Sequence, residues 1–334
     1  MRRVSDSVTI REVAQAAGVS IATVSRVLNE NCVVTPATKE RVLKAMERLG
    51  YNRNEVARSL KIRQTRTIGI IAPEIYNNFF MEILVVIEQL LAKKGYTVVI
   101  ASSNDSLEDE KRNLQVFIER NVDGLIIIPA SLEHAHFKTK ALHNTPMIIL
   151  DRKLDGLEAD TVTVDNRYGV RSMVKALIDE GFTRIGYIGG PPSFYTAKER
   201  LQGFCETMEE FNLEVEERFL LYDKGMNLAT GKKLLKKALS FRDHPKAFFI
   251  ANDSLHLGAT IYAAENKVKD LTFASFDYLS YAPLLTFCHY AVAQPLEQMG
   301  SEVVSLLLRR ISGDWGNFPA NVILPPEVKV MNNR

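Results

Sequence analysis

Cysteine is scarce: three in 334 residues, Cys32, Cys205 and Cys288, far apart and without paired spacing. That pattern holds neither a disulfide framework nor a cysteine-built zinc module, and it points to reduced thiols in a cytoplasm. Long apolar runs are missing as well. None approaches the roughly 20 residues a membrane-spanning helix needs, so no membrane partner is expected. The first residues, MRRVSDSVTI, are basic but have no apolar stretch behind them, and do not read as a secretory signal. What is present is the balance of a globular chain, 46 % apolar and 25 % charged, with length for two or three domains.

Charge is unevenly spread. Residues 1–66 hold 13 Lys/Arg against 6 Asp/Glu, a net of +7, while the whole chain carries +2, so the remainder stands at −5. A compact basic head on a mildly acidic body suggests that the head meets a polyanion, although a solvated basic surface explains the charge equally well.

The head resolves into three short helices. Thr9 can cap a helix through Ala17, with Ile10, Val13 and Ala14 on one face, and Gly18 suits its C-terminus. Ser20 caps a second helix to about Leu28. Thr35-Pro36 opens a third, to about Leu49 before Gly50, with Val42, Met46 and Leu49 as its buried stripe. Two helices joined by Gly-Val, with a third behind them, describe a helix-turn-helix domain.

The stretch GVSIATVSRVLN (18–29) then asks why its one charge stands among small side chains. Val24, Val27 and Leu28 bury one face; Ala22, Ser25, Arg26 and Asn29 are left outward. A helix entering a major groove N-terminus first needs small residues for close approach, and an arginine that can fork onto guanine O6 and N7. The bland reading is a three-helix interaction module whose Arg26 is merely solvated.

VTIREVAQAAGVSIATVSRVLN, followed by TKERVLKAMERLGYNRNEVARSLK, resembles the DNA-binding head of the lactose/galactose repressor (LacI/GalR) family almost without gaps from Val8 to about Thr67. The resemblance implies double-stranded operator DNA as partner, with Ile21 and Ala22 discriminating operators and Arg26 reading a base. Ile21 also stands three residues before Val24 and could be core. Thr9, Ile10, Ser20, Ser25, Asn29, Tyr51 and Asn54 would hold phosphates or the groove wall. Residues 52–66 would be a hinge helix and linker, with Ala57 and Leu60 pressed into the minor groove and Leu60 wedging a base step; the plain alternative is a polar linker. Ile-Ala resembles the galactose-repressor type of pair, which implies a near-palindromic operator of that kind.

From Thr67 the texture changes to short β-rich runs alternating with amphipathic helices: TIGIIA, YTVVIA, GLIIIP and MIILD in one set, then TVTVD, RIGYIGG, FLLYD, AFFIAND and LTFASFD in a second. Alternation of this kind means doubly wound parallel sheets. The expected fold is therefore an all-α helix-turn-helix head (1–51) on an α/β, periplasmic-binding-protein-like body of two doubly wound parallel-sheet lobes. The body spans 67–334: an N-lobe of about 67–163 plus 292–322, and a C-lobe of about 164–291 plus 323–334.

Ligands of open α/β sheets bind beyond the carboxyl ends of strands. Those ends are polar here: Asp151, Asp165-Asn166, Asn252-Asp253 and Asp277. Asp165 and Asp253 read as helix caps. Asp151, Asn252 and Asp277 match effector positions of the family, and such groups suit a sugar or similar polar metabolite. The resemblance adds Phe79, Met226 and Leu296 as cleft walls, and Lys198 in AKERLQGF where relatives carry arginine. A lysine there would suit a carboxylate or phosphate on the effector. Tyr278 replaces a carboxylate of the usual Gly-Phe-Asp-Asp.

Enzyme signatures are weak. GMNLATGKK (225–233) lacks the Ser/Thr of a phosphate loop, Gly189–Pro192 has no dinucleotide fingerprint, and His134-x-His136 reads as solvated imidazoles. No cofactor is expected, and neither is catalysis. An exported solute-binding protein would share the body but not the basic head. The resemblance implies an allosteric homodimer in the bacterial cytoplasm, on the nucleoid, acting as a repressor. A small-molecule effector would control it, or alternatively a protein co-effector. PPEVKVMNNR shows no leucine heptad for a tetramer.

Overall fold

The computed structural model describes residues 8–29, 34–51, 64–75, 77–143, 145–278 and 287–331. The chain divides into two compact units, Met1–Thr65 and Arg66–Arg334, so the division falls inside the expected linker. Asn54, Ala57 and Leu60, the hinge residues of the sequence reading, lie outside the described residues.

In the first unit, α1 (Ile10–Ala17), α2 (Ile21–Asn29) and α3 (Pro36–Leu49) pack on Val13, Ala14, Ala17, Val24, Val27, Val42 and Ala45. Thr9 and Glu12 form a reciprocal capping box on α1: the Thr9 N–H donates to Glu12 Oε2 at 2.6 Å, and the Glu12 N–H donates to Thr9 Oγ1 at 3.3 Å. Gly18, at φ +63°, ends the helix in the left-handed conformation glycine adopts cheaply. Pro36 opens α3 as expected, but Ala45 is buried there, while Met46 and Leu49 only lean on the core.

The second unit begins with β1 (Thr67–Ala72), α4 (Asn78–Ala92), β2 (Thr97–Ser102), α5 (Leu107–Glu119), β3 (Gly124–Ile127), β4 (Met147–Leu150) and β5 (Asp160–Val164). Two 3-10 turns, Ala135–Lys138 and Lys140–Leu142, replace an α-helix between β3 and β4. The chain then builds α6 (Asn166–Asp179), β6 (Ile185–Gly189), α7 (Tyr195–Glu210), β7 (Leu220–Tyr222), α8 (Leu228–Leu239), β8 (Ala247–Ile250), α9 (Asp253–Glu265), β9 (Thr272–Phe276) and β10 (Cys288–Ala293). It returns through α10 (Leu296–Ile311) and β11 (Asn321–Leu324), and ends with β12 (Glu327–Val330).

Two sheets result, in the orders β11-β5-β4-β3-β1-β2 and β12-β10-β9-β8-β6-β7. Every neighbouring pair is parallel except β10 with β12. The first sheet packs α4 and α10 on one face and α5 with the 3-10 turns on the other. The second packs α6 and α7 on one face and α8 and α9 on the other. Helices α8 and α9 meet backbone to backbone: a Cβ on Gly231 or Gly258 would lie 2.1 Å from a carbonyl oxygen of the facing helix. The chain crosses between lobes three times, after β5, β10 and β11. Val292 pairs in the second sheet and Ile323 in the first, so the last two crossings fall a few residues beyond the expected boundaries at 291/292 and 322/323. Strand pairing, which the local pattern does not encode, fixes those positions. Among the described residues, no helix is long and apolar enough to cross a membrane.

Candidate functional site

In the first unit, α2 turns an exposed face of small and polar side chains outward. Ser20 caps α2, its Oγ accepting from the Thr23 N–H at 3.1 Å. Val24 and Val27 are buried and hold the helix on the core, while Ala22 and Arg26 are exposed and Ser25 is half-buried. Ile21 is 44 % exposed, which resolves its ambiguity: it belongs to the outer face. Among the described residues, no carboxylate pairs with Arg26. Thr9 lies exposed at the start of α1, with its hydroxyl within the capping box. Ile10 and Tyr51 pack partly against the head's core, and Asn29 closes α2. The face can do what the sequence reading asks of it: small residues allow close approach, and a forked donor stands among them.

In the second unit, the carboxyl ends of strands from both sheets meet at one cleft, lined by Phe79, Asp151, Arg152, Arg200, Asn252 and Asp277, among others. Five of the seven expected effector residues meet here: Phe79, Asp151, Met226, Asn252 and Asp277. Leu296 lines an adjoining hollow that shares Phe79 and Asp277. Lys198 does not belong. It is exposed, and Arg200 stands in the cleft instead. Helical geometry gives the reason: two residues along α7 amount to about 200° of turn, so Lys198 and Arg200 point to opposite sides. Arg200 shares the buried stripe of Thr196, Ala197, Gly203 and Phe204, and an arginine on such a stripe is the signal that would have found it.

Both arginines of the cleft are held by protein partners. Arg200 donates from Nε to Asn166 Oδ1 at 2.8 Å and from Nη1 to the Ala251 carbonyl at 2.6 Å; its guanidinium lies 3.7 Å from the Phe276 ring centroid. Arg152, which sequence reasoning missed, donates from Nη1 to Asp105 Oδ1 at 2.7 Å and to the Pro129 carbonyl at 2.8 Å. Asp277 accepts from Gln294 Nε2 at 2.6 Å and stands 3.6 Å from Arg200 Nη1. Asn252 caps α9, accepting from the Leu255 N–H at 2.9 Å while its Nδ2 donates to the Met226 carbonyl. The cap is therefore Asn252 and not Asp253, which is the first residue of the helix; Asp165 does cap α6.

Burial sets the electrostatics. Desolvation pushes the Asp151 carboxyl up, against the pull of Arg200 and Arg152. Asp253 is pushed up to about 7, first by burial and then by the nearby Asp277. Asp151 Oδ1 and Arg152 Nε are buried without a hydrogen-bond partner, one acceptor and one donor in the same cleft. The cleft holds only about 40 Å³ and the adjoining hollow about 110 Å³, well short of a pocket for even a small metabolite. His136, read from sequence as solvated, instead bonds the buried Glu110 at 2.8 Å. Among the described residues, no group of three or more His, Cys, Asp or Glu side chains is placed to hold a metal.

A helix-turn-helix unit joined to a two-lobed body with a polar cleft defines a class: DNA-binding regulators that carry a ligand-binding domain. Residues 9–54 match the model of bacterial regulatory proteins of the lacI family, and residues 174–331 match the periplasmic binding protein-like domain. The chain is 32 % identical over 311 residues to the HTH-type transcriptional repressor PurR of Aliivibrio salmonicida, covering 91 % of this chain and 92 % of the relative. It is 33 % identical over 318 residues to the probable HTH-type transcriptional regulator EndR of Paenibacillus polymyxa, covering 91 % and 90 %. Its structure is similar to the lac repressor dimer bound to operator and the anti-inducer ONPF, with TM-score 0.85, 25 % identity, and 98 % and 99 % of the two chains covered. The chain belongs to the lacI family of bacterial transcriptional regulators, whose members are not enzymes.

Proposed function

We propose that the protein is a repressor that binds a near-palindromic operator as a homodimer and is switched by a small, neutral, polyhydroxylated metabolite in the inter-lobe cleft. The observation that carries the effector reading is the cleft's mixture of fixed partners. A sugar hydroxyl is both donor and acceptor, and the cleft supplies carboxylates to accept and guanidinium and amide groups to donate. Four acidic side chains (Glu74, Asp105, Asp151 and Asp277) line the cleft beside two arginines, and Asp105 and Asp277 already stand against Arg152 and Arg200. Lys198 stands outside the cleft, so the departure from arginine there does not by itself argue for a phosphate or acid group.

The narrowness of the cleft bears on mechanism. A sugar that parts the lobes on entering couples its binding energy to their relative orientation. A ligand shifts DNA affinity by its differential affinity for the two arrangements and by nothing else. Operator binding rests on the outer face of α2, with Arg26 as the base reader and Ile21 and Ala22 against the groove. A dimer agrees with the two-fold relation between a palindrome's half-sites.

The test is a thermal-shift screen of the full chain against sugars, sugar acids, sugar phosphates and nucleobases. A ligand at a hundred times its dissociation constant adds about 2.7 kcal/mol. A neutral sugar that stabilises the protein, with the effect lost in Asp277→Ala, supports the reading. A hit confined to phosphates or nucleobases overturns the effector class. Silence throughout favours a protein co-effector.

A further inference from the structure

The second unit contains a larger cavity than its cleft. It measures about 580 Å³ and lies at the opposite end of the first sheet, where Met147 begins β4, Ala159 precedes β5 and Phe318 precedes β11. The fold explains the hollow. Among the described residues the face of the sheet that carries α5 has no second α-helix, because the β3–β4 connection is made by two 3-10 turns, and Phe137 and Leu142 from those turns form the apolar floor.

We propose that this cavity is a second ligand site, distinct from the cleft, and that it takes a planar aromatic ring bearing an acidic group. The inference stands apart from the effector reading above. Its first support is an aromatic wall held rigid at a cost. Trp315 and Phe318 are 45 % and 38 % exposed, yet their rings are locked edge to face at 5.1 Å. Behind them lies the Arg310 guanidinium, 5.7 Å from the Trp315 centroid and 5.5 Å from that of Phe318. Arg310 is itself fixed by Asp160 at 2.7 and 3.0 Å in a fully buried ion pair, and by the carbonyls of Asp314 and Gly316. Burying an ion pair costs desolvation, and leaving two large aromatics in water forgoes their burial. The ion pair ties α10 to β5 and to the Ala320 N–H, and it also holds the two exposed rings in an arrangement that suits a flat ring laid against them.

The second support is charge at the mouth. Lys138 Nζ donates to the Gly156 carbonyl at 2.9 Å, and no carboxylate pairs with it among the described residues. His143 lines the same mouth, so an acidic substituent meets two nitrogen groups while its ring lies on the wall. Among the described lining residues Glu158 is the one carboxylate, and it opposes such a ligand, which gives the proposal a signed prediction.

Trp315 is the only tryptophan of the chain, so its emission reports on this cavity alone. The full-length protein is titrated with benzoate, nicotinate and 2-naphthoate. The expected result is a saturable change in emission for at least one probe, weakened about tenfold by Lys138→Glu and strengthened by Glu158→Gln. Thr145→Tyr, which fills the mouth, should abolish it, and Asp277→Ala in the cleft should leave it intact. Unsaturable quenching by all three probes, or binding that survives Thr145→Tyr or is lost in Asp277→Ala, overturns the assignment. Should Thr145→Tyr fail to fold, the opposite signs of the Lys138 and Glu158 variants still decide.

Discussion

Asp151 and Asp277 occupy the same place in the two sheets. Each directly follows the third strand in its sheet's order, β4 in one and β9 in the other, and each has a left-handed backbone, at φ +66° and +71°. Aspartate tolerates that region better than most side chains, but the conformation still costs energy. Its recurrence at two equivalent strand ends, both opening on one cleft, makes the lobes structural counterparts although their sequences show no close repeat. Asp277→Asn should therefore keep the fold and lose effector-induced stabilisation. Thermal shift with the effector found by screening checks this, and an unchanged shift would exclude the carboxylate from binding.

The reading of α2 predicts that Arg26→Ala weakens specific operator binding by about 1–3 kcal/mol, roughly 5- to 150-fold, with no change in thermal stability. Its side chain is exposed and supports no packing. Binding titrations on a selected operator, alongside a scrambled duplex, separate base reading from phosphate attraction. Equal losses on both duplexes would make Arg26 a phosphate contact.

Gly18 has open space where a Cβ would stand, so substituting it carries only backbone strain. Gly18→Ala should destabilise the head by about 1–2 kcal/mol, and Gly18→Asn by less. Loss of helical circular dichroism on heating measures the difference.

Two groups on α9 titrate with opposite signs. Burial lowers His256 to about 4 while Asp253 is raised to about 7. Between pH 4 and 6.5 the unfolded chain binds more protons at the histidine, so that group adds stability as pH rises. Between about pH 4 and 7 the folded chain holds the extra proton at the aspartate, so that group removes stability as pH rises. The two slopes largely offset each other in the wild type. Asp253→Asn should leave a stability that climbs from pH 4 to 6.5, and His256→Leu one that falls from pH 4 to 7. Urea unfolding at several pH values reads both, and parallel profiles in the two variants would refute the assignment.

Asp160→Ala strips Arg310 of its buried partner and should cost about 3–5 kcal/mol. Because Arg310 also backs Trp315, tryptophan emission should shift to the red in the folded variant. Denaturant titration followed by fluorescence measures both effects at once.

Much of the fold, and part of the cleft, is legible in the sequence. Thr9, Gly18, Ser20 and Pro36 mark helix ends through local chemistry, and the alternation of β-rich runs with helical periodicity specifies two wound sheets. Strand-end residues follow from that topology, which is why Asp151, Asn252 and Asp277 could be named. Lys198 holds the motif position while Arg200 shares the buried stripe of α7, so the motif alone points to the wrong one of the two. Arg152 was missed because its role rests on Asp105 and Pro129, which are remote in sequence.

By itself, then, the sequence determined the helix-turn-helix head, the two-lobed α/β body and the outward face of α2. These depend on periodicity, capping and turn chemistry acting over a few residues. Only the tertiary structure decided where the chain changes lobes, which arginine enters the cleft, how narrow that cleft is, and that a second cavity stands behind Trp315. Each of those depends on residues far apart in the chain, 150 positions in the Arg310–Asp160 pair, and no local pattern encodes such a meeting.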